Sequence, residues 1–289
     1  MAAGDTTTQS LADSLPTVIA SARQIREQEG VVPNLVDKVT LGEGTGVSWN
    51  EVSMAQLTAQ TVTETTRLDN PQQMSDTLLT ITPTVVGIHT LITDRVAARI
   101  SKNAYAKVGS LAQNAIQRKK DEDGLTAIDG ASLTIGSSGS ALTTGMIAAA
   151  VSRISSDADE PGNPPYRAVL HGFQIKDLYD AVASISSGNP PSQGLTDGLS
   201  ARVFQEGFRG RIHNCEIYED GNIDASSNAA KGGIFAQEAL ILVQGRSPRT
   251  ETRREPHIGG GSTSVFLYDE YAYGERSAGN WLFEVETDA

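Results

Sequence analysis

The sequence has 289 residues, a formal net charge of −12, 38% hydrophobic residues and 5% aromatics. An acidic chain lacks the Lys and Arg surplus that displaces counterions from phosphate backbones, which argues against sequence-specific nucleic-acid recognition. The single cysteine, Cys215, excludes an internal disulfide and a cysteine-rich zinc site.

The opening MAAGDTTTQS has no basic-then-apolar signal pattern, and no run of about 18 apolar residues occurs. The expectation is a chain that folds in a reducing cytoplasm, without a membrane. The modest apolar fraction predicts an elongated molecule with segments outside its own core.

Leu11, Leu15, Val18, Ile19, Ala22 and Ile25 recur at helical spacing. Pro16 interrupts early, Ser14 is a candidate cap and Gly30 a stop. This helix either packs on its own domain or docks as an arm on a neighbour. From Val47 to Leu68 apolar and polar residues alternate through Met54, Leu57, Ala59 and Val62. A turn signal follows at Asp69-Asn70-Pro71, and 77–82 reads as the returning strand. An isolated two-stranded hairpin is marginal in water, so this ribbon needs a cover.

A long helix is predicted from Thr93, its N-cap, with Asp94 in the first turn and an apolar face of Val96, Ile100, Ala104, Val108, Leu111 and Ala115. It ends near Lys120, or runs on through Leu125 and Ile128. Residues 130–145, rich in Ser, Gly and Thr, read as a linker. Helix at 144–155, strand at 168–171, helix at 174–185, short helix at 199–206, strands around 211–219 and a strand or short helix at 234–243 follow. That alternation predicts an α/β unit with a central sheet. The end is β again, with 264–274 and the alternating Trp281, Phe283 and Val285. No internal repeat of about 20–50 residues is present.

Four stretches in this order carry a family resemblance. TDRVAARISKNAYAKVGSLAQNAIQRKKDEDGLTAIDG (93–130) resembles the spine helix of the HK97-like major capsid proteins of tailed bacteriophages. EGFRGRIHNCEIYED (206–220) resembles that family's helix-to-strand passage, GGIFAQEALILV (232–243) its later strand, and YAYGERSAGNWLFEVETDA (271–289) its terminal strand pair.

The resemblance implies an α+β, HK97-like capsid fold. Residues 1–43 would be the N-terminal arm and 44–83 an extended loop lying over a neighbouring subunit. Residues 84–130 with 244–289 would form the peripheral domain, and 131–243 an axial domain whose 186–198 loop points to the shell's symmetry axes. Some members cross-link subunits through a Lys on the extended loop; 44–83 contains none, the nearest being Lys38 and Lys102. No cross-link is expected there. The arm is short, so any scaffold is expected to be a separate protein or a cleaved segment.

Catalytic patterns are thin. The histidines, His89, His171, His213 and His257, show no metal-site spacing. His171 with Asp177 could be a base and its orienter, and His213 with Cys215 a nucleophile pair; structural roles are favoured for both. GSSGS at 136–140 is not a P-loop, and the glycines at 259–261 lack a dinucleotide fingerprint. Asp121-Glu122-Asp123 and Asp157, Asp159 and Glu160 could hold a divalent cation, with solvated charge as the default. Arg249, Arg253 and Arg254 with Glu251 and Glu255 form a mixed-charge patch.

The expected function is non-enzymatic and cofactor-free: a shell subunit forming hexamers and pentamers of an icosahedral virion around double-stranded DNA, with separate scaffolding, portal and decoration proteins as possible partners. Trp49, Met54, Leu57 and Val62 are the expected apolar contacts between subunits, with Arg67 and Asp69 near the ribbon tip. An encapsulin-like nanocompartment shell and a soluble α/β enzyme are the alternatives.

Overall fold

The computed structural model describes residues 30–44, 46–67, 69, 71–99, 104–187, 210–225, 229–276 and 279–288. The expected helices at 15–28 and 199–206, and the 186–198 loop beyond residue 187, lie outside the described residues.

Two sheets share one core. The first is built around a 14-residue strand, β12 (Ser262–Glu275). β4 (Thr84–Thr93) pairs antiparallel along one side of it, from Ser262↔Thr93 to Tyr271↔Thr84. The other side carries β11 (Arg249–Glu255) and then β10 (Leu240–Gln244), both antiparallel to β12. β1 (Asp37–Thr40) adds to β10 in parallel. The run read as one element at 234–243 is two strands, β9 (Ala230–Ala236) and β10, separated by a turn in which Ala239 N donates to Ala236 O. Each strand reads as an apolar run because it is buried on both faces, and Gln237 and Glu238 mark the turn between them.

The second sheet has the order β5-β13-β9-β6-β8-β7. β6 is Tyr166–Leu170, β7 is Arg211–Ile212 and β8 is Cys215–Glu219. β5 (Thr134–Gly136) lies inside the stretch read as a linker; it pairs in parallel with β13 (Leu282–Thr287). β13 pairs antiparallel with β9. The last strand, expected with the peripheral unit, therefore completes the sheet of the expected axial unit. α4 (Thr144–Ser155) buries Ile147, Ala150, Val151 and Ile154, and α5 (Gly172–Ser187) buries Leu178.

A helix starts at the predicted place, and it runs as two helices on either side of 100–103, which lie outside the described residues. The Thr93 hydroxyl accepts from Val96 N at 3.4 Å, capping α2 (Asp94–Arg99). α3 (Ala104–Asp129) has 26 residues, a span of about 39 Å. Its buried face differs from the expected one. Ala112, Ile116, Lys120, Asp121, Leu125 and Ile128 are buried, whereas Leu111 is exposed. A stripe drawn through apolar residues alone skips Lys120 and so rotates toward Leu111 and Ala115. Lys120 is buried because its Nζ pairs with the buried Asp269 carboxylate of β12 at 2.8 Å and lies over the Tyr271 ring. Burial of Val32, Leu35 and Val36 against Leu125, Ile128, Leu240 and Tyr271 closes the core between the sheets.

Candidate assembly interface

The predicted hairpin exists as β2 (Trp49–Met54) paired antiparallel with β3 (Asp76–Ile81). Its register runs from Trp49↔Ile81 to Met54↔Asp76, and Ala55 N donates to Ser75 O beyond it. Directly opposed residues share a face, so the ribbon has two distinct sides. Trp49, Glu51, Leu79 and Ile81 form one; Asn50, Val52, Met54, Leu78 and Thr80 lie on the other.

The first side faces the molecule itself. Ile81 is buried with Ile241 and Val243, and Trp49, Leu79, Val39, Leu41 and Ala272 pack around them. Gly274 permits this seat, since a Cβ there would stand 2.1 Å from Ile81 Cδ1. Arg276, at the end of β12, donates from Nε to Glu51 at 2.7 Å and from Nη1 to Asp37 at 2.8 Å. Its guanidinium lies 5.7 Å from the centre of the Trp49 ring. Trp49 is therefore half-buried at the root of the ribbon, on the inner side, rather than on the open face with Met54.

The second side faces outward. Val52, Met54 and Leu78 on this side, and Leu57, Val62 and Met74 beyond the paired strands, are each 53–69% exposed. Six large apolar side chains along one extended ribbon make a patch of the kind that marks a protein-contact surface. Sequence reading found Met54, Leu57 and Val62; it missed Val52, Leu78 and Met74. The missing signal was register, because Val52 and Leu78 become one cross-strand pair only when Trp49 is set opposite Ile81.

Beyond the ladder the strands stay linked. Thr58 N donates to Gln72 Oε1 at 2.9 Å and Gln72 Nε2 returns a bond to Thr58 O. The hydrogen-bonded turn falls at Thr63–Thr66, where Thr66 N donates to Thr63 O at 3.0 Å. Asn70 of the expected Asp69-Asn70-Pro71 turn lies outside the described residues; at the Thr63–Thr66 turn the Thr66 hydroxyl accepts from Thr63 N and bonds the Thr63 hydroxyl. Arg67 and Asp69 follow it and are exposed. Gln56 also donates to the Asp159 carbonyl in the loop after α4, a polar contact between ribbon and body.

The candidate catalytic pairs do not form. Asp177 accepts from Leu142 N at 3.3 Å, and His171 Nδ1 accepts from Phe173 N at 3.3 Å. Burial lowers the His171 pKa, with Glu219 opposing. Cys215 is fully buried, and that burial, with the Glu216 charge, pushes its thiol up to about 12. His213 and Asn214 take positive φ in the turn between β7 and β8. Asp123 accepts from Lys119 and from the Tyr271 hydroxyl, and Asp157 from Asp159 N. No group of three or more His, Cys, Asp or Glu among the described residues could hold a metal ion. No helix among the described residues is long and apolar enough to cross a membrane.

The arginine patch is a sheet edge, β11, in which Arg249 pairs with Glu251 at 3.3 Å and Arg253 with Glu255 at 3.0 Å. Arg254 pairs with Asp94 at the start of α2. Paired charges of both signs on an exposed strand discourage indiscriminate edge-to-edge pairing.

No family model and no curated protein matches the chain. Solved structures do. A chain of Mycobacterium phage Che8 is 18% identical, with a TM-score of 0.70 over 93% of this chain and 96% of that one. In the capsid structure of the cyanophage P-SCSP1u the values are 12%, 0.69, 94% and 92%. In the head structure of Helicobacter pylori bacteriophage KHP40 they are 12%, 0.70, 94% and 95%. At such identities the likeness is one of fold, and over nearly the whole length the fold of this chain is that of phage capsid chains.

Proposed function

We propose that this chain is the major capsid protein of a tailed bacteriophage, assembling through many copies of itself into the hexamers and pentamers of an icosahedral shell around double-stranded DNA. The observation that carries the reading is the outward side of the ribbon. Its apolar residues Val52, Met54 and Leu78, with Leu57, Val62 and Met74 beyond the paired strands, stay more than half exposed, although the inner side of the same ribbon is packed and clasped. A second copy is the occupant a repeated shell supplies, and many weak contacts of this kind add up to a stable particle. The fold shared with phage capsid structures supports the same reading.

Expression of the full chain, followed by gel filtration and negative-stain microscopy, tests it. Closed shells or capsomer rings are expected. A stable monomer at high concentration, with or without a scaffolding protein, overturns the proposal. The shell of a protein-filled nanocompartment would share this geometry, and duplex DNA within particles from infected cells separates the two.

A further inference from the structure

Two carboxylates meet in the interior. Asp121 of α3 and Asp220, just past β8, are 0% and 1% exposed and lie close enough for the Asp220 charge to raise the Asp121 pKa. Both are turned onto the chain where it enters the body. Asp121 Oδ1 accepts from Val32 N at 3.0 Å, and Asp220 Oδ2 accepts from Val31 N at 3.4 Å. Asn222 bridges them, donating from Nδ2 to Asp121 Oδ2 and from its backbone N to Asp220 Oδ1, both at 2.9 Å. Gly30 completes the seat: a Cβ there would lie 2.3 Å from Asp121 Cβ and Cγ.

The cations nearby are committed elsewhere. Lys120 pairs with Asp269, Lys119 with Asp123 and Arg118 with Glu122. From β12 the group facing Asp121 is Tyr273, a buried phenol whose pKa is raised by burial and by the charges of Asp121, Tyr271, Asp123 and Asp269. From α1 (Val32–Leu35) and from Val31 before it, the facing groups among the described residues are backbone amides. Two buried carboxylates bridged by Asn222, with no cation between them among the described residues, cannot both ionise cheaply, and one retained proton resolves the conflict. The geometry points to a proton-operated clasp: Asp121 keeps a proton beside Asp220 and, while it does, the pair holds the root of the N-terminal segment against α3; loss of that proton loosens the root.

The direction with pH follows from the shift. Burial, opposed by the Asn222 bond and reinforced by Asp220, raises Asp121 from 3.8 to about 7. Between those values the folded state holds a proton that the unfolded root does not, so the grip weakens as pH rises toward about 7. This does not depend on the shell reading, because every group lies within one chain.

Hydrogen exchange of the full chain, followed on peptides covering Val31–Val36 and corrected for intrinsic exchange rates, tests the clasp. From about pH 5.5 to about pH 7, protection there should fall by about tenfold or more and level off above, while Ile234–Ala236 stays unchanged. Asp121→Asn, which removes the titrating carboxylate and keeps its shape, should give a flat profile. Asp220→Asn, which removes the neighbouring charge but leaves Asp121 buried, should give a smaller fall, and it carries the test should Asp121→Asn not fold. A wild-type profile that does not change with pH, or an undiminished fall in either variant, overturns the proposal.

Discussion

Arg276 Nε stands 2.7 Å from Glu51 Oε2, so the end of the longest strand holds the first strand of the exposed ribbon. The same guanidinium binds Asp37 of β1 and covers Trp49. Two carboxylates from separate strands thus share one cation. Burial opposes that charge and its two partners outweigh the cost, leaving the Arg276 pKa raised.

Removing the clasp by Arg276→Ala should loosen the ribbon at its root. We expect a loss of about 1–3 kcal/mol in chain stability, since charged hydrogen bonds are broken and both carboxylates keep partial access to water. Chemical denaturation measures that loss. Exchange at Glu51–Ser53 should rise more than exchange at Leu240–Val243. Equal changes at both places would argue that Arg276 stabilises the body rather than the ribbon.

The two sides of the ribbon should respond differently to mutation. Met54→Asp and Leu78→Asp change exposed side chains, and their effect on the unassembled chain should stay within about 0.5 kcal/mol. Assembly should fail in both, as read by sedimentation and electron microscopy. Trp49→Ala removes packing at the root and should cost the chain itself about 1–3 kcal/mol. Particles of normal yield from the Asp variants would exclude the outward side from the subunit contact.

Cys215 should be inert in the folded protein. Its thiol is buried and its pKa pushed up from the ordinary thiol range to about 12, so the thiolate is scarce at neutral and mildly alkaline pH. A disulfide reagent at about pH 8 should label it only after denaturant is added. Rapid labelling of native protein would show that β8 opens readily.

Particles should dissolve into single chains under denaturing conditions. Residues 44–83 carry no Lys, so the ribbon has no amine for an isopeptide bond. Denaturing electrophoresis of purified particles should give one monomer-sized band. A ladder of covalent oligomers would require another nucleophile on the chain.

Several features were legible in the sequence because they follow from neighbouring residues. Alternation between Val47 and Leu68 marked the ribbon, and Thr93 marked a helix start that its hydroxyl caps. Short-range periodicity and capping are local physics and need no knowledge of what lies across the fold.

Other features were decided only by the tertiary structure, because they depend on partners far away in sequence. Which side of the ribbon carries Trp49 is set by pairing with Ile81 and by Ile241, Val243 and Arg276. Lys120 reads as a surface charge until Asp269 is placed across from it, and that burial rotates the face of α3 away from Leu111. Asp121 reads as part of an acidic surface run until the fold brings Asp220 and the amides of Val31 and Val32 around it. A charged residue's free energy depends on solvent access and on the groups that surround it, and local sequence contains neither.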